Sequence, residues 1–122
     1  MATIQSYTKD GIDTYLSALM YMTFNRKTDD YTLVLTDARK CVEIEAAGAK
    51  NLTVPTNANV AFPVGTVIDL IQRGAGAITI VPGDSVTLRS LAGNLKTNGQ
   101  YSRVRLHKVA TNEWYVSGDL TA

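Results

Sequence analysis

Hydrophobic and polar positions follow two periods along this chain, and the change falls near residue 30. Residues 9 to 22 place Ile12, Leu16, Leu19 and Met20 at helical spacing on one stripe, which predicts a short amphipathic helix. Asp10 or Thr8 can cap its start, because a short side-chain oxygen accepts a bond from an otherwise unpaired backbone N–H. The stretch Asn25-Arg26-Lys27-Thr28-Asp29-Asp30 is polar throughout and reads as a linker. A lone helix of about fourteen residues is marginal in water, so its stripe must pack on the body of the chain or on the same helix of neighbouring subunits.

After residue 30 the period becomes alternating. Tyr31, Leu33 and Leu35 share a face, Val42, Ile44 and Ala46 oppose Glu43 and Glu45, and Leu52 and Val54 flank Thr53. Residues 66 to 73 are apolar on both faces except at Asp69, the pattern of a central strand covered on two sides. Further strand-like runs cover 77–81, 86–89, 100–109 and 113–117, separated by turns rich in Gly, Pro and Asn. About eight short strands at this spacing predict a mainly β fold, a β-sandwich or barrel-like domain over residues 31–122, carried behind an N-terminal helical arm and linker over residues 1–30. Leu52-Thr53-Val54-Pro55 and Thr79-Ile80-Val81-Pro82 echo one another, which reads as one turn solution used twice, since the echo is too short for repeat architecture.

With 122 residues, 45% hydrophobic and 19% charged, the chain has the make-up of a single soluble domain able to bury a core without a staple. Cys41 is its only cysteine, which excludes an intramolecular disulfide and a cysteine-rich zinc site. Twelve Lys and Arg against eleven Asp and Glu argue against the strong, sequence-independent nucleic-acid binding that neutralising many phosphates requires. Residues 1–9 lack a cationic lead into an apolar stretch, and no run approaches the ~18 apolar residues of a membrane span, so neither signal-peptide export nor membrane insertion is expected.

Candidate chemistry is sparse. His107 is the only histidine, so any Ser-His or Cys-His pair must use it. It lies in the alternation Tyr101, Arg103, Arg105, His107, opposite Val104 and Leu106, and reads as a surface or interface residue. Gly74-Ala75-Gly76 precedes a strand and not the helix a phosphate cradle needs, so it reads as a hairpin turn. Gly83-Asp84-Ser85 reads as a turn as well. Glu43 and Glu45 sit on the exposed face of their strand, whereas Asp69 reads as a buried acid paired with an arginine, within the chain or across a subunit contact. Trp114 alternates with Val116 and belongs to the core, leaving Tyr115 outside. Arg103 and Arg105 with Lys108 read as a solvated or interface face. Tyr101, Arg103, Arg105 and Tyr115 are thus the candidate surface-binding residues, with Asn98 and Asn112 nearby for a glycan. No catalytic or metal-ligating set and no cofactor is expected.

The order of motifs resembles a domain of tailed-bacteriophage virion proteins. It rests on Tyr31-Thr32-Leu33 with Leu35-Thr36-Asp37-Ala38, Leu52-Thr53-Val54-Pro55, and above all Val60-Ala61-Phe62-Pro63-Val64-Gly65-Thr66. It continues through Gly76-Ala77-Ile78-Thr79, Val86-Thr87-Leu88-Arg89 and Glu113-Trp114-Tyr115-Val116-Ser117-Gly118-Asp119-Leu120, about three quarters of the chain. Such domains lie at the C-terminal end of tail-fibre or minor tail proteins and in small virion-surface subunits. The resemblance implies a non-enzymatic virion component, commonly trimeric, with virion proteins as partners. Only 30 residues precede the domain in place of a fibre stalk, which favours a capsid decoration protein or a small tail or baseplate component over a fibre tip. In that role Ile12, Leu16, Leu19 and Met20 form the docking arm. The alternative implied by tail-fibre kinship is recognition of a host-surface glycan or receptor.

Overall fold

A computed structural model describes residues 21–122. Ile12, Leu16, Leu19 and Met20, with the helix predicted around them, lie outside the described residues. The fold is mainly β and consists of two mixed sheets. Its strands are β1 (Phe24–Lys27), β2 (Tyr31–Thr32), β3 (Cys41–Ile44), β4 (Lys50–Val54), β5 (Val67–Gln72), β6 (Ile78–Pro82), β7 (Thr87–Ser90), β8 (Lys96–Thr97), β9 (Arg103–Ala110), β10 (Glu113–Gly118) and β11 (Leu120–Thr121). One sheet has the order β1-β3-β5-β9-β10-β7 and the other β11-β8-β6-β4-β2.

From β1 to β9 the chain changes sheet at every step, so it advances as a flattened coil. The passes β1, β3 and β5 pair in parallel in one sheet, and β2, β4 and β6 do so in the other. The coil ends when β8 and β9 return antiparallel against β6 and β5. A hairpin then adds β10 to β9, and β7 pairs in parallel with the outer edge of β10.

Alternation places one apolar set of each strand between the sheets. Val42, Ile44, Ile68, Leu70, Val104, Leu106, Trp114 and Val116 come from the six-stranded sheet, and Leu52, Val54, Ile78 and Ile80 from the five-stranded one. Burial of each such side chain is worth roughly 1.5–3 kcal/mol before entropic costs. Phe62 stands edge-on to Trp114, with ring centroids 5.5 Å apart. Trp114 is therefore inside and Tyr115 outside, as the alternation predicts. β5 is interior in its sheet, as expected for residues 66–73, with Ile68 and Leu70 in the core; the second covered side expected there is not formed by another sheet among the described residues, and on that face Asp69 is buried while Val67 and Ile71 are half-buried.

Three expectations need correction. The polar stretch 25–30, read as a linker, contributes most of β1, an edge strand paired with β3; its polarity suits an edge whose outer backbone groups face water. Gly74-Ala75-Gly76 is not a hairpin, because β5 and β6 belong to different sheets. It is a corner stacked on the preceding corner of the coil: the Gly76 N–H donates to the Ala46 carbonyl at 2.9 Å, and a Cβ at Gly76 would overlap the Gly48 carbonyl. Backbone presses on backbone there, and glycine makes the approach feasible. The two echoing segments are β4 and β6, parallel neighbours with Leu52 opposite Ile80, so the echo marks two successive passes of the coil.

Candidate functional site: the outer face of the six-stranded sheet

Strand parity sends Phe24, Arg26, Glu43, Asp69, Ile71, Arg103, Arg105, His107, Tyr115 and Arg89 to the face of the six-stranded sheet that points away from the core. Register aligns them in rows. Arg26, Glu43, Ile71 and Arg103 form one row across four strands. Phe24, Cys41, Asp69, Arg105 and Ser117 form the next, followed by Val67, His107, Tyr115 and Arg89.

Asp69 is 1% exposed although no strand among the described residues covers it; two arginines lie over it. The Arg103 Nη1 donates to Oδ2 at 2.6 Å, while Arg105 donates through Nε to Oδ1 at 2.8 Å and through Nη2 to Oδ2 at 3.2 Å. Hydrogen bonding to Asp69, and then its charge, raises the Arg105 guanidinium above its ordinary value. The arginine partner expected for Asp69 is thus a pair, both within the chain. Arg103 and Arg105 remain half exposed, at 51% and 55% of their side chains.

Glu43 repeats the arrangement, which corrects its assignment to an exposed face. Its carboxylate is buried beneath Arg73, at 3.0 Å, and Arg26, at 3.6 Å, with Arg73 also 3.5 Å from Glu45. Glu43 and then Glu45 raise the Arg73 guanidinium. At the far edge Arg89 pairs with Glu113 at 2.8 Å.

Lys108 does not join Arg103 and Arg105. It shares the parity of Val104 and Leu106 and points into the core, 2% exposed, opposite Trp114 in register. Its Nζ donates to Asn57 Oδ1 and to the Phe62 carbonyl, each at 2.7 Å. Burial pushes its pKa below the ordinary lysine value. The signal was present in the parity of 104, 106 and 108; reading by charge alone missed it.

The candidate glycan residues are not brought together. Tyr101 precedes β9 in a left-handed turn, φ 70°, and is 72% exposed. Tyr115 lies beside His107, six residues further along, a span of about 20 Å for extended chain. Asn98 sits near the start of β9, its N–H bonded to Asp119, whereas Asn112 lies in the β9–β10 turn and accepts the Asn57 N–H at 2.9 Å.

The remaining reactive groups are also placed. Cys41 is fully buried, and burial raises its thiol to about 11, so it is a protonated, inert side chain at neutral pH. His107 is exposed on the open face between Val67 and Tyr115. Among the described residues no group of three or more His, Cys, Asp or Glu is placed to hold a metal ion, and no helix is long and apolar enough to cross a membrane. Comparison with protein-family models, with curated proteins and with solved structures returned no match.

Proposed function

We propose that this chain is a non-enzymatic structural subunit of a bacteriophage virion surface, a capsid decoration protein or a small tail or baseplate component. It oligomerises through the β-domain as a trimer and attaches through its N-terminal arm. The observation that carries the reading is the outer face itself. Its carboxylates are locked under arginines, its one histidine stands on an open sheet, and Cys41 and Lys108 are enclosed, so the side chains serve a surface. The resemblance of its motif order to virion domains, noted from the sequence, motivates the same class.

The test uses the full chain. Light scattering across concentrations is expected to give about 40 kDa, three times the 13.2 kDa chain, and the protein is expected to co-sediment with virions from its source. Deleting residues 1–20, which stops short of β1, should leave a folded domain that no longer co-sediments. A 13.2 kDa species that also fails to co-sediment overturns the reading. Retention on a glycan array without virion association would favour glycan recognition of tail-fibre type.

A further inference from the structure

The formal charge of the chain is close to zero, but acids and bases divide unequally between interior and surface. Among residues 21–122, three of nine carboxylates (Asp37, Glu43 and Asp69) are buried, whereas Lys108 alone of eleven lysines and arginines is. Asp37 consumes no cation: it accepts from Asn25, Tyr31 and the Val34 N–H. Ten cations and six carboxylates therefore remain unburied over the described residues.

On the outer face of the six-stranded sheet five arginines (Arg26, Arg73, Arg89, Arg103 and Arg105) stand against four carboxylates (Glu43, Glu45, Asp69 and Glu113), and two of those acids lie buried beneath their arginines. Each of its two buried carboxylates holds two guanidiniums, and the side chains of Arg26, Arg73, Arg103 and Arg105 stay 44–64% exposed over acids exposed by only 1–6%. An approaching molecule meets the guanidinium edges of Arg26, Arg103 and Arg105 above buried acids, whereas Arg73 also faces the exposed Glu45 and Arg89 is paired with the part-exposed Glu113. A guanidinium has five N–H donors. Asp69 takes two from Arg105 and one from Arg103, so most of the donors on these two arginines are left over. The cations run from Arg26 on β1 to Arg89 on β7, across six strands or about 24 Å, and Tyr115 stands among them, 52% exposed.

We infer that the outer face of the six-stranded sheet is a docking surface for an acidic protein partner, whose carboxylates bind the free guanidinium edges of Arg26, Arg73, Arg103 and Arg105 beside His107 and Tyr115. The inference rests on the structural-subunit reading and names the chemistry of its partner. The planar guanidinium fork matches a carboxylate in bidentate fashion. Here the buried acids hold the forks in place beforehand, so less freedom is lost on binding. Arginine and tyrosine are also the residue types that dominate protein-interface energetics. The formal charge of +1 is far below what tight binding to many phosphates demands, which favours a protein over a nucleic acid.

The experiment measures retention of the full chain on immobilised poly-L-glutamate over a salt series, with single-stranded DNA as a parallel surface. Retention on polyglutamate that weakens with salt is expected. The double variant His107→Glu with Tyr115→Glu leaves Asp69 and Glu43 with their arginines. The two facing glutamates should lower its melting temperature slightly, and at a temperature where circular dichroism shows both proteins folded it should bind at least about tenfold more weakly. Lys96→Glu, on β8 of the other sheet, should change binding less than about twofold. No retention on polyglutamate, retention on DNA alone, unchanged binding by the folded double variant, or an equal loss from Lys96→Glu each overturns the inference. Virion co-sedimentation separates the two proposals. If the parent and the double variant both co-sediment equally, the docking face is wrong and the subunit reading stands; if neither does, the subunit reading falls and polyglutamate retention is judged separately.

Discussion

Asp69 and Lys108 are both buried charges, held within three residues of one another in register along β9, and the molecule accommodates them in opposite ways. Asp69, on the outer face, receives counter-charge from two half-exposed arginines. Lys108, between the sheets, receives two neutral oxygens, from Asn57 and Phe62. The first solution keeps charge at the surface and leaves cationic edges for a partner. The second ties the loop carrying Asn57 and Phe62 to β9 and offers nothing to solvent. A buried charge therefore signals function by what covers it more than by how deeply it lies.

Removing each charge tests this contrast. Lys108→Ala should cost most, about 3–5 kcal/mol in chemical denaturation, since it deletes a packed side chain beside Trp114 and takes the donor from the buried Phe62 carbonyl and the half-buried Asn57 Oδ1. Lys108→Met, which restores volume without donors, should cost about 1–3 kcal/mol, and equal losses for the two would refute the packing contribution. Asp69→Asn should fall near 2 kcal/mol, because Arg103 and Arg105 can turn towards water once released. A larger loss than Lys108→Ala would reverse the comparison.

Alkaline titration separates the groups by sign. The pKa values of Cys41 and Tyr31 rise on folding from 9.0 and 10.0 to about 11 and about 12, mainly through burial, with the Asp37 hydrogen bond adding to Tyr31. Their contribution is complete below pH 9 and lost as pH climbs from 9 to 12. The pKa of Lys108 moves the other way, below 10.5, so its burial penalty acts below the folded value and lifts as pH rises towards 10.5. A neutral amine keeps two N–H donors, enough for both acceptors. The parent should lose stability between pH 9 and 12, and Lys108→Met should lose it more steeply up to pH 10.5; parallel melting-temperature curves for the two would contradict the assignment. The smallest effect belongs to the exposed Arg89–Glu113 pair, where Arg89→Ala should change stability by less than about 1 kcal/mol.

Alternation made the strands, the core position of Trp114 and the arginine-paired burial of Asp69 legible in the sequence, because a period of two reports which side of a sheet a residue occupies. It says nothing about which strands become neighbours. Hence Gly74-Ala75-Gly76 looked like a hairpin, and the coil with its stacked corners was invisible. Polarity misled twice more. The stretch 25–30 contains a strand whose polar side chains suit an edge, and Glu43 is covered by arginines from Arg26 and Arg73, distant in sequence. On the candidate site, the identity of Arg103, Arg105 and Tyr115 was readable, but the carboxylates beneath the arginines emerge only when β3, β5 and β9 are laid side by side.

The parallel pairing of β7 with β10 also sets an order of events during synthesis. Thr87–Ser90 leaves the ribosome well before Glu113–Val116, its strand partner among the described residues. The coil from β1 to β6 can assemble as it emerges, each pass resting on the one before. The far margin of the sheet has to wait until β10 has emerged, so a chain cut short before residue 113 would release its coil nearly complete but with that margin still open.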